Sequence, residues 1–273
     1  MVIERDEQGN ADSTIESEEV THQEVSETFE TEPESDERAV VNPYARLIAV
    51  ITDPVAAMRG VVQKGSWWIP AIVFVIAMVI FNLIAGDVVQ EFSQDATRNR
   101  MQQMVEQGRM TQEQVDQIME RQSTGSASGI ASFISPIISI FFMKLIYTLL
   151  FLLGGNVLFG GDAKFGNYWA VLWYAGVIGA IGTILSSVLI NITGDMYGAQ
   201  LGLGILTKSD PTSLAHKVAQ AFDVFKIWEG IIAGVGLSVV ARISTGKGIA
   251  WGLIVYLGFA LIGSFITGSF VAS

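Results

Sequence analysis

Apolar residues in this chain gather into runs of about twenty, separated by shorter polar stretches, a pattern far longer than the period of an amphipathic helix or a half-buried strand. The first run, Trp67 to about Gly86, has no charged residue and opens on Trp67-Trp68, rings that favour headgroup depth. Further runs cover about 130–153, 168–192, 222–241 and 249–271, with Pro136 and Lys144 in the second. The pattern predicts an all-α fold, a polytopic membrane bundle of about five transmembrane helices.

The polar stretches predict the rest. After the first run, Val88, Val89, Phe92 and Ala96, then Met101, Met104 and Val105, keep helical spacing as far as Gly108. Thr111 and Gln114 form a capping-box pattern in front of Val115, Ile118 and Met119. A soluble helical hairpin is expected outside the membrane, with Ser123–Gly129 as a flexible connection. Before the first run, Tyr44, Leu47, Ile48 and Ile51, then Val55, Met58, Val61 and Val62, predict two short amphipathic helices with Arg46, Arg59 and Lys64 interleaved. Thr52-Asp53-Pro54 supplies the break, because Asp53 can cap a helix whose first residue is Pro54. Their apolar faces suit either a membrane interface or packing on the bundle. Gly154-Gly155 and Gly160-Gly161 are expected to form the turn between the second and third spans, and Arg242–Lys247 a tight turn between the last two. Tyr197–Leu206 is too short and Gly-rich to span and is expected at the interface.

Composition agrees with a membrane: 50% of residues are hydrophobic against 16% charged, and mean hydropathy is +0.44. The net charge of −11 belongs to the tail, since residues 1–40 carry 14 acids and two arginines, leaving 13 acids and 14 bases beyond. With few large apolar residues this tail is expected to be disordered, leaving residues 41–273 as the membrane domain. It also lacks the basic and apolar regions of a cleavable signal peptide, so the first span is expected to direct insertion. Lys and Arg near the span ends favour a cytoplasmic N-terminus and an outer C-terminus: Arg46, Arg59, Lys64, Lys164, Arg242 and Lys247 against Arg98, Arg100, Arg121, Lys208 and Lys217.

Charge inside a span is costly and needs a partner or water. Lys144 and Glu229 lie at similar depths in spans that run the same way, which makes an intramembrane pair possible; Lys226, three residues before Glu229, is the alternative partner. Either an ion pathway or a structural tie between helices fits such a pair, and Asn82 adds a polar group to the first span. Gly176, Gly179 and Gly182 recur every third residue, and Gly230 with Gly234 makes a small-xxx-small spacing, so close helix packing and self-association are expected at both. Ser186, Ser187 and Asn191 are expected to hydrogen-bond between helices. Catalytic patterns are missing: there is no cysteine, His22 lies in the tail and His216 in a loop, and no HExxH, GxSxG or GxxxxGK[ST] occurs. No cofactor, metal or nucleic-acid site is expected, and the lipid bilayer is the expected partner.

Phe222-Asp-Val-Phe-Lys-Ile-Trp228-Glu-Gly, followed by an apolar run and then Ser244-Thr-Gly-Lys247-Gly, resembles the C-terminal part of the bacterial branch of the Yip (Ypt-interacting protein) family. Gly160-Gly161-Asp-Ala-Lys-Phe165, Trp173-Tyr174-Ala175 and Asp53-Pro54 are similar to that family too, and the resemblance covers roughly residues 43–271. It implies a five-helix membrane domain with a cytoplasmic N-terminus, and it does not imply an enzymatic activity. Eukaryotic relatives bind Rab-type GTPases and help shape membranes. Their Asp-Leu-Tyr-Gly-Pro signature is absent here, which puts GTPase binding in doubt. A scaffold or adaptor is the function expected, with a small permease or channel using Lys144 and Glu229 as the alternative.

Overall fold

A computed structural model describes residues 39–124, 127–196, 201–207 and 213–271, with side chains placed except at 121–133 and 266–271. The acidic tail to residue 38, Lys208 and residues 197–200 of the expected interfacial stretch lie outside the described residues.

Two short helices lead in, α1 (Pro43–Thr52) and α2 (Pro54–Gln63). Each starts with a proline behind a capping side chain: Asn42 Oδ1 accepts from the Tyr44 amide at 2.9 Å, and Asp53 Oδ1 from the Ala56 amide at 3.1 Å. Five helices are long and apolar enough to cross a bilayer. These are α3 (Trp68–Glu106), α5 (Ala127–Leu152) with its extension to Leu158, α6 (Phe165–Thr193), α8 (Val224–Ala241) and α9 (Thr245–Val271). Two shorter helices lie between them, α4 (Gln112–Thr124) after α3 and α7 (Leu214–Ala221) before α8.

Several boundaries differ from the sequence reading. The first span does not stop at Gly86, because α3 continues without a break into the first arm of the hairpin and reaches 39 residues, about 58 Å. Gly86 has open space around it, and no proline or further glycine follows before Gly108, so nothing ends the helix there. Its end comes at Gly108, whose φ of +67° lets the Gly108 and Arg109 amides fold back onto the Val105 and Met104 carbonyls. Thr111 and Gln114 then cap α4 reciprocally, at 3.3 and 3.0 Å. Within Ser123–Gly129, residues 123–124 and 127–129 are helical rather than a flexible link.

Gly154-Gly155 is not a turn either: Leu153–Leu158 continues α5 as a π-helix, and the chain reverses at Gly160, with φ +76°. The two glycines seat aromatic rings instead, since a side chain on Gly154 would strike the Trp251 indole and one on Gly155 the Tyr168 hydroxyl. The last turn is shorter than expected, because α9 already begins at Thr245.

The core runs along α6 and α8. Val171, Leu172, Tyr174 and Ile178 pack with Ala233, Leu237 and Val240, and Val50, Met58 and Val61 of the lead-in helices close over them. α1 and α2 therefore pack on the bundle through one face, while Tyr44, Ile48 and Ile51 leave an apolar stripe exposed on the other side of α1. Arg46 sits on the packed face, wholly buried. Its guanidinium donates to the carbonyls of Val40 (3.0 Å), Val41 (2.8 Å) and Lys64 (3.0 Å), and lies 4.9 Å from the centre of the Tyr174 ring. Burial pulls its pKa down, and the neighbouring Tyr174 works in the opposite direction. It ties the lead-in segment to the end of α2 and to α6, so of the two readings left open for these helices Arg46 belongs to the face packed on the bundle.

Candidate functional site: a charged network inside the bundle

The site is built on α8, which starts where Asp223 caps it by accepting from the Lys226 amide at 2.9 Å. Six residues after Asp223, about 9 Å along the axis, Glu229 turns into the bundle. Lys144 of α5 reaches it: Nζ donates to Glu229 Oε1 at 2.7 Å and to the Leu172 carbonyl of α6 at 3.0 Å. Tyr256 of α9 donates its hydroxyl to the same Oε1 at 3.0 Å and stacks on Tyr147, ring centres 4.7 Å apart. The Phe74 ring of α3 lies 5.9 Å from the ammonium. One charge pair thus draws on all five of the long helices. Lys226, the alternative partner, keeps its side chain exposed.

The glycine stripe on α6 makes room for this network. A side chain on Gly176 would meet Lys144 Nζ, one on Gly179 would meet Glu229 Oε2, and one on Gly182 would meet Phe225. What fills the stripe is therefore long side chains and not, as the spacing suggested, a neighbouring backbone. Gly230 and Gly234 differ: a side chain at Gly234 would strike the backbone of Gly248 and Ile249, and Gly252 packs against the Gly230 carbonyl in the same way. Two helices approach closely there, and sequence reasoning had not paired Gly248 and Gly252 with them. Their four-residue spacing on the last span was the signal available.

Other polar residues go elsewhere. Ser187 donates to the Ile184 carbonyl and Asn82 to the Met78 carbonyl, each within its own helix, whereas inter-helix bonds had been expected of the serine. Asn191 is exposed and Ser186 lines a cavity. His216 is not in a loop. It is buried on α7, 3.0 Å from Thr207 Oγ1 and 2.7 Å from the Gln220 amide nitrogen, which fastens α7 to the short turn at Leu203–Thr207.

Two cavities meet at Glu229. One of about 530 Å³ lies between the C-terminal half of α6 and the start of α8, walled by Phe81, Phe92, Thr183, Ser186 and Phe225. The other, about 550 Å³, lies between α5 and α9 along Ile140, Met143 and Phe259. Phe74, Gln220, Lys226, Glu229 and Ser264 line both, and neither reaches past Glu229 along α8. Beyond it α8 is buried almost continuously from Gly230 to Ala241. No cluster of three or more potential metal ligands occurs among the described residues.

A model of the Yip1 domain matches residues 48–267. No curated protein and no solved structure matches the chain. The match takes in every residue of the charged network and the second half of α1, and on that basis this multi-pass helical membrane protein belongs to the Yip1 domain family.

Proposed function

We propose that the chain is a non-enzymatic scaffold or adaptor of the bacterial branch of its family, working in membrane organisation or trafficking-like processes. It sits in the cell membrane with its N-terminus in the cytoplasm and its C-terminus outside, the tail of residues 1–40 leading into a membrane domain at 41–273. What carries the reading is the use made of the intramembrane charges: Lys144 and Glu229 are held by each other, by Tyr256 and by the Leu172 carbonyl, and the cavities end at Glu229. Such an arrangement ties helices together, and among the described residues neither cavity continues along α8 past Glu229. The apolar stripe of Tyr44, Ile48 and Ile51 on α1 is the surface offered to lipid, a protein partner or a second copy.

A photo-crosslinking residue at Ile48 tests this in membranes. The scaffold reading expects a discrete protein adduct, either a second copy or another chain, that disappears on Tyr44→Ser/Ile51→Ser while the melting temperature holds. Adducts with lipid alone, in cells and at native expression, would count against an adaptor. The alternative, a small permease or channel using Lys144 and Glu229, draws on the two cavities that reach Glu229.

A further inference from the structure

Glu229 uses only one carboxylate oxygen to hold the bundle. Oε1 takes both Lys144 and Tyr256, whereas Oε2, lying over Gly179 beside the cavities, has no hydrogen-bond donor among the described residues. Three residues earlier on the same helix face, Lys226 is exposed, lines both cavities, and makes no ion pair through its ammonium among the described residues. An acceptor is thus left open at depth, and a cation about 4.5 Å nearer the start of α8.

The charges around this space fix the kind of molecule that suits it. Lys144, Lys226, Asp223 and Glu229 balance, so a ligand with a net charge would leave an excess in a poorly solvated place. A neutral ligand with its positive end inward and its negative end at Lys226 would satisfy both open groups. The rest of the second cavity is apolar, with Ile140, Met143, Phe259 and Ala260 leading from Glu229 between α5 and α9. On neighbouring outer surfaces Ile138, Phe142 and Ile262 are exposed, as expected of helices facing acyl chains.

We propose that this space binds a phospholipid with an ethanolamine-type headgroup. Its primary ammonium donates to Glu229 Oε2, its phosphate accepts from Lys226, and its chains leave along Ile140, Met143 and Phe259. A choline headgroup carries a cation with no N–H to donate, and a glycerol headgroup carries no cation, so neither satisfies Oε2 in this way. The assignment goes beyond the scaffold reading and stands on different atoms, since Oε2 and Lys226 take no part in tying the helices.

Native mass spectrometry of the full chain, released from detergent with equal amounts of phosphatidylethanolamine, phosphatidylcholine and phosphatidylglycerol of identical chains, tests it. One charge-assisted contact predicts about tenfold greater retention of the ethanolamine lipid over each of the others. Lys226→Ala, at an exposed position, should reduce that retention about tenfold with the melting temperature unchanged. Lys144→Met/Glu229→Gln, which leaves no lone buried charge, should abolish the headgroup preference; if that pair of changes fails to fold, Lys226→Ala carries the test. Equal retention of the three lipids, equal retention of choline and ethanolamine lipids, a preference surviving in the double variant, or indifference to Lys226→Ala would each overturn the assignment.

Discussion

Removing either partner of the Lys144–Glu229 pair leaves the other charged and enclosed, a change that typically destabilises by about 3–5 kcal/mol, whereas replacing both with apolar residues of similar size costs little. Lys144→Met and Glu229→Leu should each lower the melting temperature in detergent, and the double variant should recover most of the loss. Additive losses would mean that the 2.7 Å contact contributes nothing of its own. At this scale the sequence was informative where a residue was out of place: a lysine and a glutamate within apolar runs announce a need for partners. It was uninformative for Arg46. An arginine on a short amphipathic helix reads the same whether it faces headgroups or three carbonyls, because the carbonyls that hold it come from the backbone of Val40, Val41 and Lys64, and backbone acceptors leave no trace in side-chain identity.

Among the elements, α8 and α9 approach backbone to backbone at Gly234, Gly248 and Gly252, and the basis of this pairing is testable with single methyl groups. At Gly252 an added Cβ would run into the Gly230 carbonyl and the Gly234 backbone, so Gly252→Ala should destabilise by about 1–3 kcal/mol. Gly258, on the same helix, has open space around it; there Gly258→Ala should be neutral or stabilise by about 0.5–1 kcal/mol through lower chain entropy. Equal effects at the two positions, read from melting curves in detergent, would contradict close backbone packing. The small-residue spacing that marks Gly230 and Gly234 also marked the stripe on α6, yet the two do different jobs. Spacing reports that room exists and says nothing of whether a helix or a long side chain fills it. Helix ends were legible where a cap or a left-handed residue was present, as at Asp53, Thr111 and Gly108, and illegible where helix continues past a glycine with nothing to stop it, as at Gly86 and Gly154.

For the whole molecule, five apolar runs were enough to give the number and order of the helices long and apolar enough to cross a bilayer, because the bilayer's thickness fixes a length that composition alone reveals. Which helices touch was not legible, since contacts between helices depend on faces that are apolar all round. Alternation across five crossings places the α3–α4 hairpin outside and the α8–α9 turn inside when the N-terminus is cytoplasmic. In this cysteine-free chain, Gln107→Cys should react with an impermeant thiol reagent on intact cells, and Ser244→Cys only after lysis. The reverse labelling would invert the topology. On the scaffold reading the intramembrane charges hold the bundle together and do not conduct. Its most direct test is ion and solute flux into sealed vesicles containing the purified full chain. No flux above protein-free vesicles is predicted, for the wild type and for Glu229→Gln alike; a flux that rises with the amount of protein and vanishes with Glu229→Gln would contradict the account.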